Sequence, residues 1–169
     1  MERENGYVVG TIDNINNGSD AQYWTDSFLH VIARDDDYHQ TVKLMDMCTG
    51  FVQQLKEQSE VDSVIAAKKT AELLKTGETV QVDDLADLLC QNEEQKQAFD
   101  TYRQSFEEEH GSFADEISVV SKVASRKPVS RMNVLKLGND FEVKVLNPDA
   151  DIESGVDEEI GKRYYTLYY

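Results

Sequence analysis

Apolar residues in the middle of the chain recur at the spacing of amphipathic helices. The clearest pattern covers about residues 38–57, where a wide apolar stripe repeats every three or four positions. The stripe consists of Val42, Leu44, Met45, Cys48, Thr49, Phe51, Val52 and Leu55. Asp35, Asp36 and Asp37 precede it, where carboxylates cap free backbone N–H groups and suit the positive end of the helix dipole. The triplet could instead bind a divalent cation, but no second acidic cluster at ligand spacing supports a metal site.

Further helical patterns follow before the apolar spacing changes from helical to alternating. Gly77 and Gly111 each come directly after such a pattern and are typical helix stops. The pattern of residues 117–126 fits either a short helix or an extended segment, and Pro128 forbids a continuous helix across it. The further predicted helices cover residues 60–75, residues up to about Cys90 from an N-cap at Asp83 or Asp84, and Glu93 to about Glu109.

Alternating and β-branched patterns at both ends of the chain predict strands. The clearest is a hairpin over residues 131–146, in which "RMNVLKLG" and "DFEVKVLN" alternate around a "GND" turn. The final "RYYTLYY" is predicted to be a strand of alternating aromatic residues, and residues 6–12 and 27–34 are predicted strands near the start. The sequence therefore predicts an α+β fold with N-terminal strands, central helices and an antiparallel C-terminal sheet.

The length suits one domain or two small ones, and the composition predicts a cytoplasmic protein. The chain has 169 residues, of which 40% are hydrophobic and 30% are charged, enough for one hydrophobic core. The start has no apolar run of signal-peptide length, and no window approaches the roughly 18 apolar residues of a membrane span. Cys48 and Cys90 lie in apolar patterns and are interpreted as buried thiols in a reducing compartment. No membrane partner and no cofactor is expected.

Charge is distributed unevenly along this acidic protein. The formal net charge is −16, which disfavours attraction of the whole molecule to DNA. Residues 78–116, the acidic block, carry twelve acidic residues against Lys96 and Arg103. Residues 117–139, the basic segment, carry five cations and no acid. These cations are Lys122, Arg126, Lys127, Arg131 and Lys136.

The basic segment has two interpretations. Exposed cations on a loop and a hairpin can simply pair with acidic neighbours. Alternatively, the five cations neutralise several phosphates of double-stranded DNA, and the Ser hydroxyls and backbone N–H groups of "SRKPVSR" help to position them. The aromatic tail has two interpretations as well. Its tyrosines are either a stacking platform for single-stranded bases or one core face and one interface of a strand. They are Tyr164, Tyr165, Tyr168 and Tyr169.

The sequence gives little indication of catalysis. It contains no CxxC, HExxH, GxSxG, phosphate-binding P-loop or GxGxxG motif. His30, His39 and His110 are far apart, and lone histidines are more often surface or core groups than ligands. Nothing near Cys48 supports a nucleophile pair with a histidine. We therefore expect a non-enzyme with no catalytic residues and no metal site.

Five stretches in order carry a resemblance to a known family. They are "GTIDNINNGSDAQYWTDSFLHVIAR", "TVKLMDMCTGFVQQL", "GETVQVDDLADLL", "SFADEISVVSKVASRKPVSRMNVLKLGNDFEVKVLNPDA" and "RYYTLYY". Their order resembles the C-terminal half of the bacterial nucleoid-associated protein family of the NdpA/YejK type, from about residue 7 onward. The resemblance implies a single domain over residues 1–169 without that family's N-terminal half. It also implies DNA association in the bacterial nucleoid and no catalysis.

Two functional hypotheses follow. In the first, the chain is a nucleoid-associated DNA-binding protein that contacts phosphates through the basic segment and forms a homodimer. In the second, it is an acidic interaction module or DNA mimic, whose acidic block occupies a basic protein partner.

Overall fold

The computed structural model describes residues 36–121 and 132–169. The strands predicted at residues 6–12 and 27–34 lie outside these ranges. The helices are α1 (Asp37–Gln58), α2 (Glu60–Thr76), α3 (Leu85–Leu89) and α4 (Glu93–His110), with a 3₁₀ turn at Val82–Asp84. The strands are β1 (Thr79–Gln81), β2 (Glu116–Ser118), β3 (Val134–Leu137), β4 (Phe141–Lys144), β5 (Asp151–Asp157) and β6 (Lys162–Tyr168). Helices followed by antiparallel strands confirm the predicted α+β class.

Polar caps define the ends of the long helices. The Asp36 carboxylate accepts a hydrogen bond from the backbone N–H of His39 at 3.1 Å, as expected of an aspartate before α1. Ser59 joins α1 to α2, because its backbone N–H donates to Leu55 and its Oγ accepts from the N–H of Asp62. Gly77 ends α2 in the left-handed conformation, as predicted.

The first core cluster packs α1 and α2 against α3, α4 and the β1–β2 pair. Its centre is the edge-to-face contact of Phe51 with Phe99, whose ring centroids are 4.9 Å apart. Val80 on β1 pairs with Ile117 on β2, and both side chains are buried. The start of the segment that sequence patterns left open is therefore extended at Glu116–Ser118. Asp84 occupies the N-cap position of α3, as predicted, although its side chain makes no capping hydrogen bond.

The second core cluster lies on another face of α2. Val61, Val64 and Ile65 of α2 pack there with Leu135 of β3 and with Val145. The predicted 131–146 hairpin is present as β3 paired with β4, with Gly138 in the left-handed conformation of its turn. β5 and β6 form a second hairpin, with Ile152 and Tyr165 against the same cluster. The predicted C-terminal sheet thus consists, among the described strands, of two separate two-stranded hairpins.

Candidate nucleic-acid interface

One of the five predicted phosphate-binding cations can be placed in the structure. Lys122, Arg126, Lys127 and Arg131 lie outside the described residues. Lys136 lies on β3, directly opposite Glu142 on β4. Their charged atoms are 3.8 Å apart and their side chains are 70% and 66% exposed. An exposed ion pair of this kind contributes little free energy, so Glu142 holds the Lys136 ammonium only weakly.

Lys136 lines a cleft that sequence patterns did not reveal. The cleft has a volume of about 520 Å³ and lies between the tip of the β3–β4 hairpin, the start of β6 and the first residue of α2. We call it the hairpin cleft and define it by Glu60, Lys136, Phe141, Lys162, Arg163 and Tyr165. It brings Lys136 near two cations that lie more than twenty positions further along the chain.

The pairing registers place Phe141 and Arg163 on the core-facing sides of the two hairpins, and Lys136 and Lys162 on the opposite sides. Directly opposed residues of an antiparallel pair share a face, and successive residues alternate between faces. Phe141 therefore shares the face of buried Leu135, and Arg163 shares the face of Tyr165. Both faces contact the second core cluster, but Phe141 and Arg163 lie towards the exposed end of their hairpins. The core-facing sides of both hairpins thus extend past the core and leave a lined opening.

A hydrogen bond between β6 and α2 forms one wall of the cleft. The Tyr165 hydroxyl donates to the Glu60 carboxylate across 3.1 Å. Burial, and then this hydrogen bond, raise the pKa of Tyr165 above its usual value. The bond holds the Glu60 carboxylate against Tyr165 but does not cancel its charge, which remains in the cleft.

The tyrosines of the aromatic tail divide between the two faces of the β5–β6 hairpin. Tyr165 faces the second core cluster, whereas Tyr164 and Tyr168 lie on the opposite face and are about half exposed. The Tyr164 ring covers Gly155 of β5, where an added Cβ would lie 2.5 Å from its hydroxyl oxygen. The Tyr168 hydroxyl donates to Glu153 at 2.9 Å.

The acidic block presents its charge to solvent. Eleven of its twelve acidic residues are exposed, and Glu107 is half-buried. Its two cations form ion pairs with carboxylates of the block itself. Most of the exposed carboxylates therefore have no cation of the block to pair with. Lys96 bridges Asp87 and Glu93 at 2.6 and 3.1 Å, and both carboxylates raise its pKa, Asp87 the more. Arg103 bridges Asp83 and Glu107, both at 2.8 Å.

The other candidate groups are dispersed within the described ranges. Cys48 is fully buried, and burial raises the pKa of its thiol to about 12, which disfavours a nucleophilic thiolate. His39 lies beside Asp36 at the start of α1, and His110 lies beside Phe106 at the end of α4, while His30 falls outside these ranges. Residues 36–121 and 132–169 contain no cluster of three or more His, Cys, Asp or Glu side chains that could hold a metal ion.

Sequence reasoning missed Lys162 and Arg163. Their signal was available, because they stand side by side between an acidic run and the aromatic strand. They were overlooked because the hairpin cleft depends on β5, which was not predicted, and on the packing of both hairpins against α2.

A comparison with protein families identifies the chain's relatives. The model of the family described as nucleoid-associated protein YejK matches residues 1–153. The chain belongs to this family. The match confirms the resemblance, and Lys162 and Arg163 lie beyond the matched residues. No curated protein and no solved structure matches the chain. Within the described ranges, no helix is long and apolar enough to cross a membrane.

Proposed function

We propose that this chain is a non-enzymatic, nucleoid-associated protein that binds double-stranded DNA through phosphate contacts and without sequence preference. The family match over residues 1–153 is the observation that carries this proposal. The proposed location is the nucleoid of the bacterial cytoplasm.

The proposed contact surface is the basic segment. It carries Lys122, Arg126, Lys127, Arg131 and Lys136, with no acidic residue between them. Lys136 supports the assignment, because its charged end is exposed and only loosely paired. A local group of cations attracts phosphates even on an acidic protein, since the field close to the group matters more than the net charge.

Charge reversal tests this surface. We expect Arg126→Glu to weaken duplex binding, and the double variant Arg126→Glu/Lys127→Glu to weaken it further, in fluorescence anisotropy with labelled DNA. Lys56→Glu makes the same change of charge in the last turn of α1 and serves as the control. The assignment fails if the reversals leave the affinity unchanged, or if the control has the same effect.

The acidic block supports a second candidate function, in which the chain binds a basic protein partner or mimics DNA. The supporting observation is that its carboxylates are exposed while Lys96 and Arg103 are held inside the block. This function predicts no DNA binding but salt-sensitive capture of a basic protein. A pull-down at low salt that recovers no basic protein argues against it.

A further inference from the structure

We propose that copies of this chain associate by docking the α3 region of one copy into the hairpin cleft of another. The α3 region, defined here as residues 82–94, presents exposed Leu88 among carboxylates. The hairpin cleft presents exposed Phe141 beside cations. The inference goes beyond the proposed DNA binding, because it concerns a contact between two protein surfaces.

The α3 region combines an apolar side chain with negative charge. Leu88 is 39% exposed, whereas Leu85 and Leu89 on the same short helix are buried in the first core cluster. The region contains five exposed carboxylates and no cation. The five belong to Asp83, Asp84, Asp87, Glu93 and Glu94.

The charge of the α3 region stays negative after its ion pairs are counted. Lys96 and Arg103 of α4 pair with three of the five carboxylates. Asp84 and Glu94 form no ion pair with a cation of residues 36–121 or 132–169. Asp84 also makes no capping hydrogen bond to the backbone of α3. The region therefore fits a partner surface that is cationic and partly apolar.

The hairpin cleft has the opposite charge. Lys136, Lys162 and Arg163 line it against the two carboxylates of Glu60 and Asp140. Arg163 lies on the core-facing side of its hairpin, whereas both lysines lie on the opposite sides of theirs. Cations that are separated in this way do not converge on a single anion. They suit a protein surface whose carboxylates are spread around a projecting apolar side chain.

The cleft also offers an apolar contact for Leu88. Phe141 is 69% exposed, and the cleft volume of about 520 Å³ leaves room for an inserted side chain. Eight of the ten large exposed hydrophobic side chains of the described residues belong to residues 141–169, and the other two are Tyr38 and Leu88. Tyr38 already packs edge-on against His39, with ring centroids 5.4 Å apart. Leu88 is therefore the better candidate for insertion.

Charge complementarity favours a second copy in this one arrangement. Contact between two clefts would bring cations together, and contact between two α3 regions would bring carboxylates together. Docking the α3 region into the cleft pairs opposite charges instead. The two surfaces share no residue, so every copy carries both halves of a heterologous contact.

Sedimentation velocity over a concentration series, without DNA, tests the contact. The wild-type protein is expected to associate at about 50 mM salt and to associate less at about 300 mM salt, because salt screens the paired charges. Leu88→Ala and Phe141→Ala should each weaken self-association by at least about 10-fold. Tyr38→Ala removes the other large exposed hydrophobic side chain outside residues 141–169 and should change nothing. Urea denaturation checks that the variants remain folded.

A charge exchange between copies tests which surfaces meet. Asp84→Lys puts a cation on the α3 region and Arg163→Glu puts a carboxylate in the cleft, so each variant alone should associate more weakly than the wild type. An equal mixture of the two should regain association, because each variant then meets a surface of opposite charge. Glu108→Lys and Lys144→Glu make the same changes at exposed positions outside both surfaces and should leave self-association intact.

The outcomes separate this inference from the proposed function. A wild-type protein that stays monomeric at every concentration overturns the inference, and so does association that Leu88→Ala leaves unchanged. A mixture of Asp84→Lys and Arg163→Glu that associates no better than either variant alone also overturns it. Because no DNA is present, none of these results bears on duplex binding. Loss of duplex binding with intact self-association would overturn the proposed function alone.

Discussion

The hydroxyl of Tyr165 on β6 donates a hydrogen bond to the carboxylate of Glu60 on α2, with 3.1 Å between the oxygens. The two residues are 105 positions apart, and their contact connects the last strand to the start of a helix. Together with the packing of Ile152 and Tyr165 on the second core cluster, it attaches the β5–β6 hairpin to the helices. This attachment sets the position of Arg163 and therefore the shape of the hairpin cleft.

Tyr165→Phe should loosen the β5–β6 hairpin without unfolding the protein. The change keeps the ring in place and removes only the hydroxyl. Even in a protected position, a hydrogen bond to a charged group contributes no more than about 1.5–3 kcal/mol to the free energy of unfolding. We expect faster amide hydrogen exchange across β5 and β6. Tyr168→Phe is the matched control, because it removes a hydrogen bond to Glu153 that stays within the hairpin. Equal exchange in Tyr165→Phe and the wild type would contradict the attachment.

Gly50→Ala should destabilise the protein, although alanine usually favours a helix interior over glycine by about 0.5–1 kcal/mol. Gly50 lies in α1 where α4 crosses it, and an added Cβ would collide with the hydroxyl of Tyr102 and lie 3.1 Å from Cζ of its ring. We expect a loss of about 1–3 kcal/mol in the free energy of unfolding, measured by urea denaturation.

A double-mutant cycle identifies the cause of that loss. Tyr102→Phe removes the colliding oxygen, so Gly50→Ala should cost less in that background, with a coupling energy of about 0.5–3 kcal/mol. The same cost in both backgrounds would show that the close approach of Gly50 to Tyr102 is not what requires glycine.

Cys48 should make the protein less stable at alkaline pH. Burial raises the pKa of its thiol from 9.0 to about 12 in the folded state, so this group stabilises the fold fully below pH 9. As the pH rises from about 9 towards 12, the unfolded chain ionises first, and stability falls by about 1.4 kcal/mol per pH unit. Urea denaturation of the wild type at pH 7 and pH 10 measures this fall.

Cys48→Ala separates this thiol from other alkaline groups, such as Cys90, whose pKa is raised to about 11, chiefly by burial. The variant should be less stable at pH 7, because it leaves a cavity in the first core cluster. Between pH 7 and pH 10, the free energy of unfolding of the variant should fall less than that of the wild type. An equal loss in both proteins would contradict the prediction.

Local sequence patterns were sufficient to predict much of the fold. The period of α1 and the carboxylate of Asp36 specify that helix and its start, and Gly77 specifies the end of α2. β5 was missed because Asp151, Glu153 and Asp157 are poor strand formers. It forms because β6 supplies a paired partner over its whole length, with the acidic side chains on the exposed face.

The candidate site was less predictable than the fold. Charge counting placed Lys136 in the basic segment, and its side chain is 70% exposed. The cleft beside it depends on how two hairpins pack against α2, which is a tertiary relationship with no local pattern. Phe141 illustrates this, because its alternation predicts a core-facing residue and only the packing leaves it 69% exposed.

The measurement that tests the central proposal most directly is the salt dependence of duplex DNA binding by the wild-type protein. Fluorescence anisotropy from about 50 to 300 mM salt gives the slope of log affinity against log salt concentration. Five phosphate contacts at about 0.9 each predict a slope of about −4 to −5. A slope in that range supports phosphate contact by the five cations of the basic segment. No binding even at the lowest salt would contradict the proposed function and favour a basic protein as the partner.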